Sequence, residues 1–476
     1  MPTFMKSGQP WLYDSDSGDI VGARDGDGGD MYFARLASDA NGNATGLVGP
    51  DGRNRFNGSS IVGAHRIRKM LGAIGQSSYR RVNIGYHSHS IGVGVSAGDS
   101  GTYNAAAFTL FESRGQAAII AKILSAAYGG SGTTAGFAMG GTSSGVNPLL
   151  TMGGGAGAPS GSSPFFGPSG WTATLSSAAH TLAFTAVGAY ARVYCAAGGA
   201  GSTIAARWNA PSVSGGATQT ATLPAESPNP GNTPAGDRTW YEFTIGPVVA
   251  GETVTIMAPT SSSIRIYYVD TNYLPDTAGV SVHRLARPGA MLTGLHGASL
   301  DATDTLGPAS SWIGTDASAN GLIRAGQKAS MSVRVPQDGI ILQTDVNDMN
   351  SYLTYGYSLA DQKRHLANYL TYHAGLSLPV LCVFGPIRDP ALNDAGTPYT
   401  QDELIAAYKE TVDASTNGAY IDLTAEWPGG TTQARYEAEY ASGLLYDTVH
   451  PSAYGHGYFG SWIAQSILSA ASGAMR

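Results

Sequence analysis

Four short runs in this chain carry residues that can do acyl-transfer chemistry. Ser88, His89 and Ser90 follow a short apolar run at 82–85. Gly289 stands in ARPGA, after VSVHRL. Asn347 stands in DVNDMN, after GIILQT. Asp447 and His450 lie three apart in LLYDTVHPSAYGHG, before the final helical pattern. A serine hydroxyl is a weak nucleophile until a base takes its proton. A histidine three residues after an aspartate can be oriented and charge-stabilised by it. The tetrahedral intermediate of acyl transfer then needs hydrogen-bond donors for its oxyanion. A backbone N–H beside Gly289 and the Asn347 side-chain amide both qualify.

Taken singly, each has a plainer reading. Asn347-Asp348 is a common turn pair, Gly289 a turn glycine, and Asp447 with His450 a helix entry. Ser100 competes as nucleophile through the literal Gly98-Asp99-Ser100, although IGVGVSA before it makes a poor strand. His87 and His89 alternate on an extended segment and could share a metal with a carboxylate. Spacing suggests no third ligand, so no metal and no cofactor is expected. His456 is expected on the surface of the last helix. Cys195 and Cys382 are far apart and read as buried free thiols.

Residues that react just after strands require a particular scaffold. In open α/β sheets, ligands bind beyond the carboxyl ends of the strands. VSVHRL, GIILQT, LPVLCVF and AYIDL predict compact strands, and helical patterns lie at 359–371, 402–413 and 454–470. Strands alternating with helices imply a parallel sheet covered on both faces. The strand at 82–85 and a helix over 116–128, stopped by Gly129-Gly130, fit the same sheet. Ile67, Met70, Leu71 and Ile74, three and four apart, predict a short helix.

Residues 129–170 carry almost no charge and many Gly, Ser, Thr and Pro, and read as a linker or long surface loop. Over 171–275, WTATL, HTLAFTAV, YARVYC, WYEFTIGPV, ETVTIMA and SIRIYYVD alternate apolar with polar residues between turn signals. That is the pattern of an antiparallel β-sandwich. Trp171, Trp208 and Trp240 are expected to pack in its core, with stacking on sugars as the alternative. Residues 1–60 set short strand candidates between DG, NG and GD turns, as in small hairpins. The expected organisation is a β-rich N-terminal attachment or oligomerisation region (1–65) and a first part of the α/β domain (66–150). A linker with an inserted β-sandwich (151–278) and a second part of the α/β domain (279–476) follow. An insert at that point is expected near the site or at the edge of the sheet.

The order and spacing of the reactive residues resemble the SGNH (GDSL-type) hydrolases. That family's first block reads GDSIT-x-G after the first strand. Here the run is Ser88-His89-Ser90-Ile91-Gly92-Val93-Gly94, which keeps the serine, the isoleucine and the last glycine. Ser88 stands for Gly, His89 for Asp and Gly92 for Thr. The second block's glycine matches Gly289, with Gly294 and Gly297 as alternatives. The third block, G-x-N-D, matches Asp345-Val346-Asn347-Asp348, with Asp for Gly. The fifth, D-x-x-H-P, matches Asp447-Thr448-Val449-His450-Pro451 in full, and Gly455 follows as in many members. The resemblance covers 80–128 and 279–470. It implies a three-layer α/β/α domain with a catalytic triad of Ser90, Asp447 and His450. The oxyanion hole would be Ser90, Gly289 and Asn347. Ser100 and Ser88 remain the alternative nucleophiles.

Composition narrows the function. Glycine is 65 of 476 residues and charged residues are 13%, against typical values of about 7% and about 25%. With 42% hydrophobic residues and a net charge of −7, the chain can bury a core and is not disordered. It has no basic stripe for nucleic acid, no signal pattern at its start and no apolar run long enough to span a membrane. No apolar lid segment is present, which weighs against long acyl chains. A β-sandwich inserted after the first helix is similar to the accessory domain of polysaccharide O-acetyl esterases. The Gly- and Asp-rich hairpins are similar to segments of bacteriophage tail fibres and tailspikes. Together these resemblances imply a tail protein in the virion that acts at the bacterial surface on acetylated polysaccharide. They also imply a homotrimer held to other tail proteins through its N-terminus. The alternatives are a carbohydrate-binding adhesin with a weak or inactive site, and a soluble carboxylesterase unrelated to phage.

Overall fold

The segment Gly279–Ala286 is buried at all eight positions, which requires a sheet covered on both faces. The computed structural model describes the strands within 3–47, and residues 61–98, 113–128, 133–135, 137–138, 149–156, 173–197, 205–222, 240–258, 263–271, 273, 278–286, 292, 337–349, 357–392, 397–426 and 431–474. Six strands form the central sheet: β1 (Arg81–Ser88), β2 (Thr133–Ala135), β3 (Gly279–Ala286), β4 (Gly339–Gln343), β5 (Val380–Phe384) and β6 (Gly418–Asp422). Their order is β6-β5-β4-β1-β3-β2, and every neighbour is parallel. The strand order reverses beside β1, so a crevice opens at the carboxyl ends of β1 and its neighbours.

Helices complete the layers. They are α1 (Arg68–Gly75), α2 (Ser90–Val93), α3 (Gln116–Tyr128), α4 (Leu359–Gly375), α5 (Gln401–Asp413), α6 (Thr432–Ala441) and α7 (Ala453–Ala474). Met70, Ile74, Ile119, Ile123, Ile463 and Ile467 from α1, α3 and α7 pack on Ile84, Val282 and Ile341. On the opposite face, Leu366, Leu370, Leu404 and Val412 from α4 and α5 pack on Ile340, Leu342 and Val380. Both helices of that second layer start with a capping box, Ser358 with Asp361 and Thr400 with Glu403. Each box satisfies amides that the first turn leaves without helical partners.

The insert is a sandwich of two antiparallel sheets. Leu182, Phe184, Val193, Trp208, Phe243, Ile256 and Ile266 fill the space between them. Trp171 and the Trp240 side chain lie outside the described residues. Part of the segment read as a linker is strand instead. Thr133–Ala135 is β2, at the edge of the central sheet, while 137–138 and Thr151–Gly153 join the two sheets of the insert. Strands this short leave no alternation to read, and neighbouring edges recruit them through backbone bonds.

The insert meets the central sheet in two ways. At the amino ends of β1 and β3, Asp270 pairs with Arg81 at 3.3 Å, with only 1% of the Asp270 side chain exposed. Farther along β3, the Tyr268 hydroxyl lies 3.1 Å from His283 Nδ1, and His283 Nε2 lies 3.1 Å from Asn83 Oδ1. Toward the carboxyl ends, Leu149 packs both on the sandwich core and on Val93, Val95, Ala97 and Ala286. In the N-terminal segment, Thr3–Met5, Trp11–Asp14, Ile20–Arg24, Asp30–Ser38 and Ala44–Leu47 pair antiparallel in sequence order. Among the described residues, no helix is long and apolar enough to cross a membrane.

Candidate active site

β1 runs to Ser88, three residues past the strand expected from sequence, and delivers Ser90 to the first position of α2. That helix is a single turn. Gly94, at φ +93°, ends it and returns its N–H to Ser90 O at 3.1 Å. The left-handed conformation favours glycine at this point, which accounts for the last glycine of the block. The α2 turn holds the Ser90 hydroxyl at the carboxyl end of the sheet.

The Asp447–His450 loop meets it there. His450 Nε2 lies 2.8 Å from Ser90 Oγ, and His450 Nδ1 lies 2.8 Å from Asp447 Oδ2. The other oxygen, Asp447 Oδ1, accepts the N–H groups of His450 at 2.7 Å and Val449 at 2.8 Å. A bridge between Leu445 and Pro451 and the bond from Tyr446 N–H to His450 O (2.8 Å) close the loop. Burial pushes the Asp447 carboxyl up, but bonds from the His450 ring and the two amides outweigh it and hold it below the usual carboxylate range. An ionised Asp447 makes Nδ1 the protonated nitrogen, so Nε2 presents a lone pair to the Ser90 hydroxyl.

Asn347 comes off the neighbouring strand. Gln343 of β4 is level with Ser88 of β1, and residues 345–349 form a helical turn that carries Asn347. Its backbone N–H bonds Thr344 O at 3.0 Å, and the residue is 7% exposed. Asp348 Oδ1 accepts from Leu292 N–H at 2.6 Å and Oδ2 from the Tyr408 hydroxyl at 2.9 Å. Asp348 therefore fixes this turn rather than facing a substrate. Asp345, where the family has Gly, is wholly buried and accepts from Gly385 N–H and Gln401 Nε2, both at 3.0 Å. Burial pushes its carboxyl up to about 7 against those two bonds. β3 ends with Ala286 level with Ser88. Gly289, Gly294, Gly297 and Ser100 lie outside the described residues.

Two departures from the first block compensate each other. A Cβ on Gly92 would sit 2.3 Å from Ser88 Cβ and 2.8 Å from its Oγ. The side chain that the family carries after the isoleucine is thus replaced by one at the end of the strand. His89, where the family has Asp, accepts the Ile91 N–H through Nδ1 at 3.3 Å and caps α2. His87 Nδ1 lies 2.5 Å from the Tyr369 hydroxyl. Among the described residues, no three His, Cys, Asp or Glu side chains are grouped to hold a metal.

His456 is not the surface residue expected from sequence. It is fully buried and donates through Nε2 to Val95 O at 2.7 Å, behind the nucleophile turn. Gly455 beside it admits no side chain, since a Cβ would meet Leu444 O at 1.9 Å. Sequence reading also passed over Arg284, which donates to Val93 O at 3.0 Å and secures the last carbonyl of α2. A charged residue inside the apolar run VSVHRL was the signal available for it.

No protein-family model and no curated protein matches the chain. Solved structures do. A structure described as a peptidoglycan O-acetylesterase in action aligns with a TM-score of 0.55 at 14% identity, covering 87% of this chain and 99% of that one. A family two carbohydrate esterase from Cellvibrio japonicus aligns more loosely, with a TM-score of 0.25 at 11% identity over 71% of this chain and 98% of that one. The parallel sheet with helices on both faces and the β insert are thus a fold that this chain shares with the first of these structures over nearly its whole length.

Proposed function

We propose that the chain is a serine esterase that removes O-acetyl groups from bacterial surface polysaccharide. The observation that carries this reading is the unbroken chain of 2.8 Å contacts from Ser90 Oγ through the His450 ring to Asp447. A binding protein has no need of a base held against a hydroxyl. In the reaction, His450 Nε2 takes the Ser90 proton as Oγ attacks the acetyl carbonyl carbon. The oxyanion forms facing the Ser90 N–H and the Asn347 side-chain amide, and the resemblance assigns the Gly289 N–H as third donor. His450 then protonates the departing sugar oxygen, leaving acetyl-Ser90. Water attacks next, its proton goes to His450, and acetate leaves as Ser90 is restored. The acetylated-carbohydrate substrate is supported by the O-acetylesterase alignment and by the sandwich that resembles accessory domains of polysaccharide esterases.

We also place the chain in a phage tail fibre or tailspike, as a homotrimer anchored through its N-terminal segment. What supports that placement is the Gly- and Asp-rich composition of residues 1–60 alone.

The direct test is acetate release. Purified protein incubated with acetylated capsular polysaccharide is expected to liberate acetate, and Ser90→Ala protein is not. Polysaccharide binding without acetate release, and no turnover of 4-nitrophenyl acetate, would establish the adhesin instead. Turnover of the small ester alone would leave a general carboxylesterase.

A further inference from the structure

The segment Gly385–Asp389, which follows β5, touches both halves of the site. Gly385 N–H bonds Asp345 Oδ2, and Gln343 Nε2 donates to Gly385 O at 2.6 Å. Gln401 Nε2 donates to Pro386 O, and Gln401 Oε1 accepts Arg388 N–H, both at 3.0 Å. Arg388 is 4% exposed, and its Nη1 donates to Val346 O at 3.0 Å. That carbonyl belongs to the peptide bond leading into Asn347. One residue on, Asp389 N–H donates to Thr448 O at 2.9 Å, inside the Asp447–His450 loop.

Burying a guanidinium costs several kcal/mol of hydration, so its place against the Asn347 peptide is not incidental. Burial draws the Arg388 guanidinium down to about 10, so it stays charged at neutral pH. Its planar fork fixes direction as well as distance, which a lysine does not. Arg388 thus touches the Asn347 turn through its side chain, and the peptide after it touches the acid–base loop. We propose that Arg388 is a positioning residue, holding the Asn347 peptide in register with the Asp447–His450 loop so that oxyanion donor and base converge on Ser90. The inference rests on the esterase reading for its kinetic consequence, but the geometry it asserts is independent of turnover.

The experiment has a kinetic arm and a spectroscopic arm. With 4-nitrophenyl acetate, Arg388→Met is expected to lower kcat roughly 10- to 100-fold with little change in KM, as misplacement of a catalytic group does. Arg388→Lys should recover part of the loss. In an Asn347→Ala background, Arg388→Met should lower kcat by less than about threefold, because residues that act through one another are not additive. Full additivity there would overturn the proposal and leave Arg388 a purely structural residue. The second arm uses the ¹⁵N-labelled protein, with the Asn347 side-chain amide assigned by its loss in Asn347→Ala. Folded Arg388→Lys protein should shift that amide together with the Thr448 and Val449 N–H signals. Unchanged signals would overturn the proposal whether or not the enzyme turns over. A wild type inactive on every acetyl ester but shifted in this way would instead count against the esterase reading alone.

Discussion

His450 Nε2 stands 2.8 Å from Ser90 Oγ, although 360 positions separate the two in the chain. The contact exists because β1 and the loop before α7 end on the same side of the sheet. Ser90→Ala and His450→Ala are each expected to lower kcat roughly 10⁴- to 10⁶-fold, since triad members act as a unit. Ser100→Ala should change the rate little. Loss of activity in Ser100→Ala with Ser90→Ala still active would reassign the nucleophile.

Asn347 shares the carboxyl edge of the sheet with Ser90 through the Gln343–Ser88 register. Removing one oxyanion donor typically lowers kcat about 10²- to 10³-fold. Asn347→Ala should do so while KM stays near that of the wild type. Steady-state kinetics with 4-nitrophenyl acetate check this, and a normal kcat removes the donor role.

The Ser88 and Gly92 exchange makes a prediction about packing. Gly92→Ala drives a methyl into Ser88 Cβ, and such overpacking typically costs about 1–3 kcal/mol. Ser88→Gly removes the obstructing atoms, so the double variant should regain most of the stability that Gly92→Ala loses. Urea unfolding of the four proteins measures the coupling. Additive losses would show that the two departures are unrelated.

Three buried groups contribute to the pH dependence of stability, with opposing signs. Burial lowers His283 to about 3 and His456 to about 4. An unfolded histidine binds its proton near ~6.5. Below that pH the unfolded chain takes up protons that the folded chain refuses. Each histidine therefore removes stability at about 1.4 kcal/mol per pH unit as pH falls toward its folded value. Asp345, raised to about 7, acts in reverse, because between about pH 4 and 7 the folded state holds a proton that the unfolded carboxylate has lost. Acidification from pH 7 to 5 should thus destabilise the wild type. The loss should be steeper in Asp345→Asn and shallower in His456→Gln. Parallel unfolding curves across the three proteins would contradict these assignments.

Asp270 ties the insert to the sheet. Breaking a buried pair by removing one partner typically costs about 3–5 kcal/mol, because the other charge is left buried. Asp270→Ala should lower the unfolding free energy on that scale, and Asp270→Ala with Arg81→Met should recover part of it. A loss below about 1 kcal/mol would mean that water reaches Arg81. Deleting the sandwich over 165–276 removes both Asp270 and Tyr268, the partners of Arg81 and His283. Such a deletion tests stability as much as substrate binding.

Much of the site was readable because its chemistry is local. Asp447 and His450 are three residues apart, and one loop suffices to join Nδ1 to a carboxylate. Five of the strands and the helices α1, α3, α4, α5 and α7 were readable as well, because full burial on both faces leaves unbroken apolar runs and a covering helix shows its 3.6-residue period. The tertiary structure decided the rest. It brought Ser90 to His450, since no local rule spans 360 positions. It turned Thr133–Ala135 from apparent loop into a sixth strand, because neighbouring edges supply its bonds. It buried His456, because α7 is enclosed on nearly every side and the polar atom finds its partner in Val95. Ser88 and Gly92 could be read only together. Each departs from the block that the run resembles, and only the distance between them shows that one side chain fills the space the other vacates.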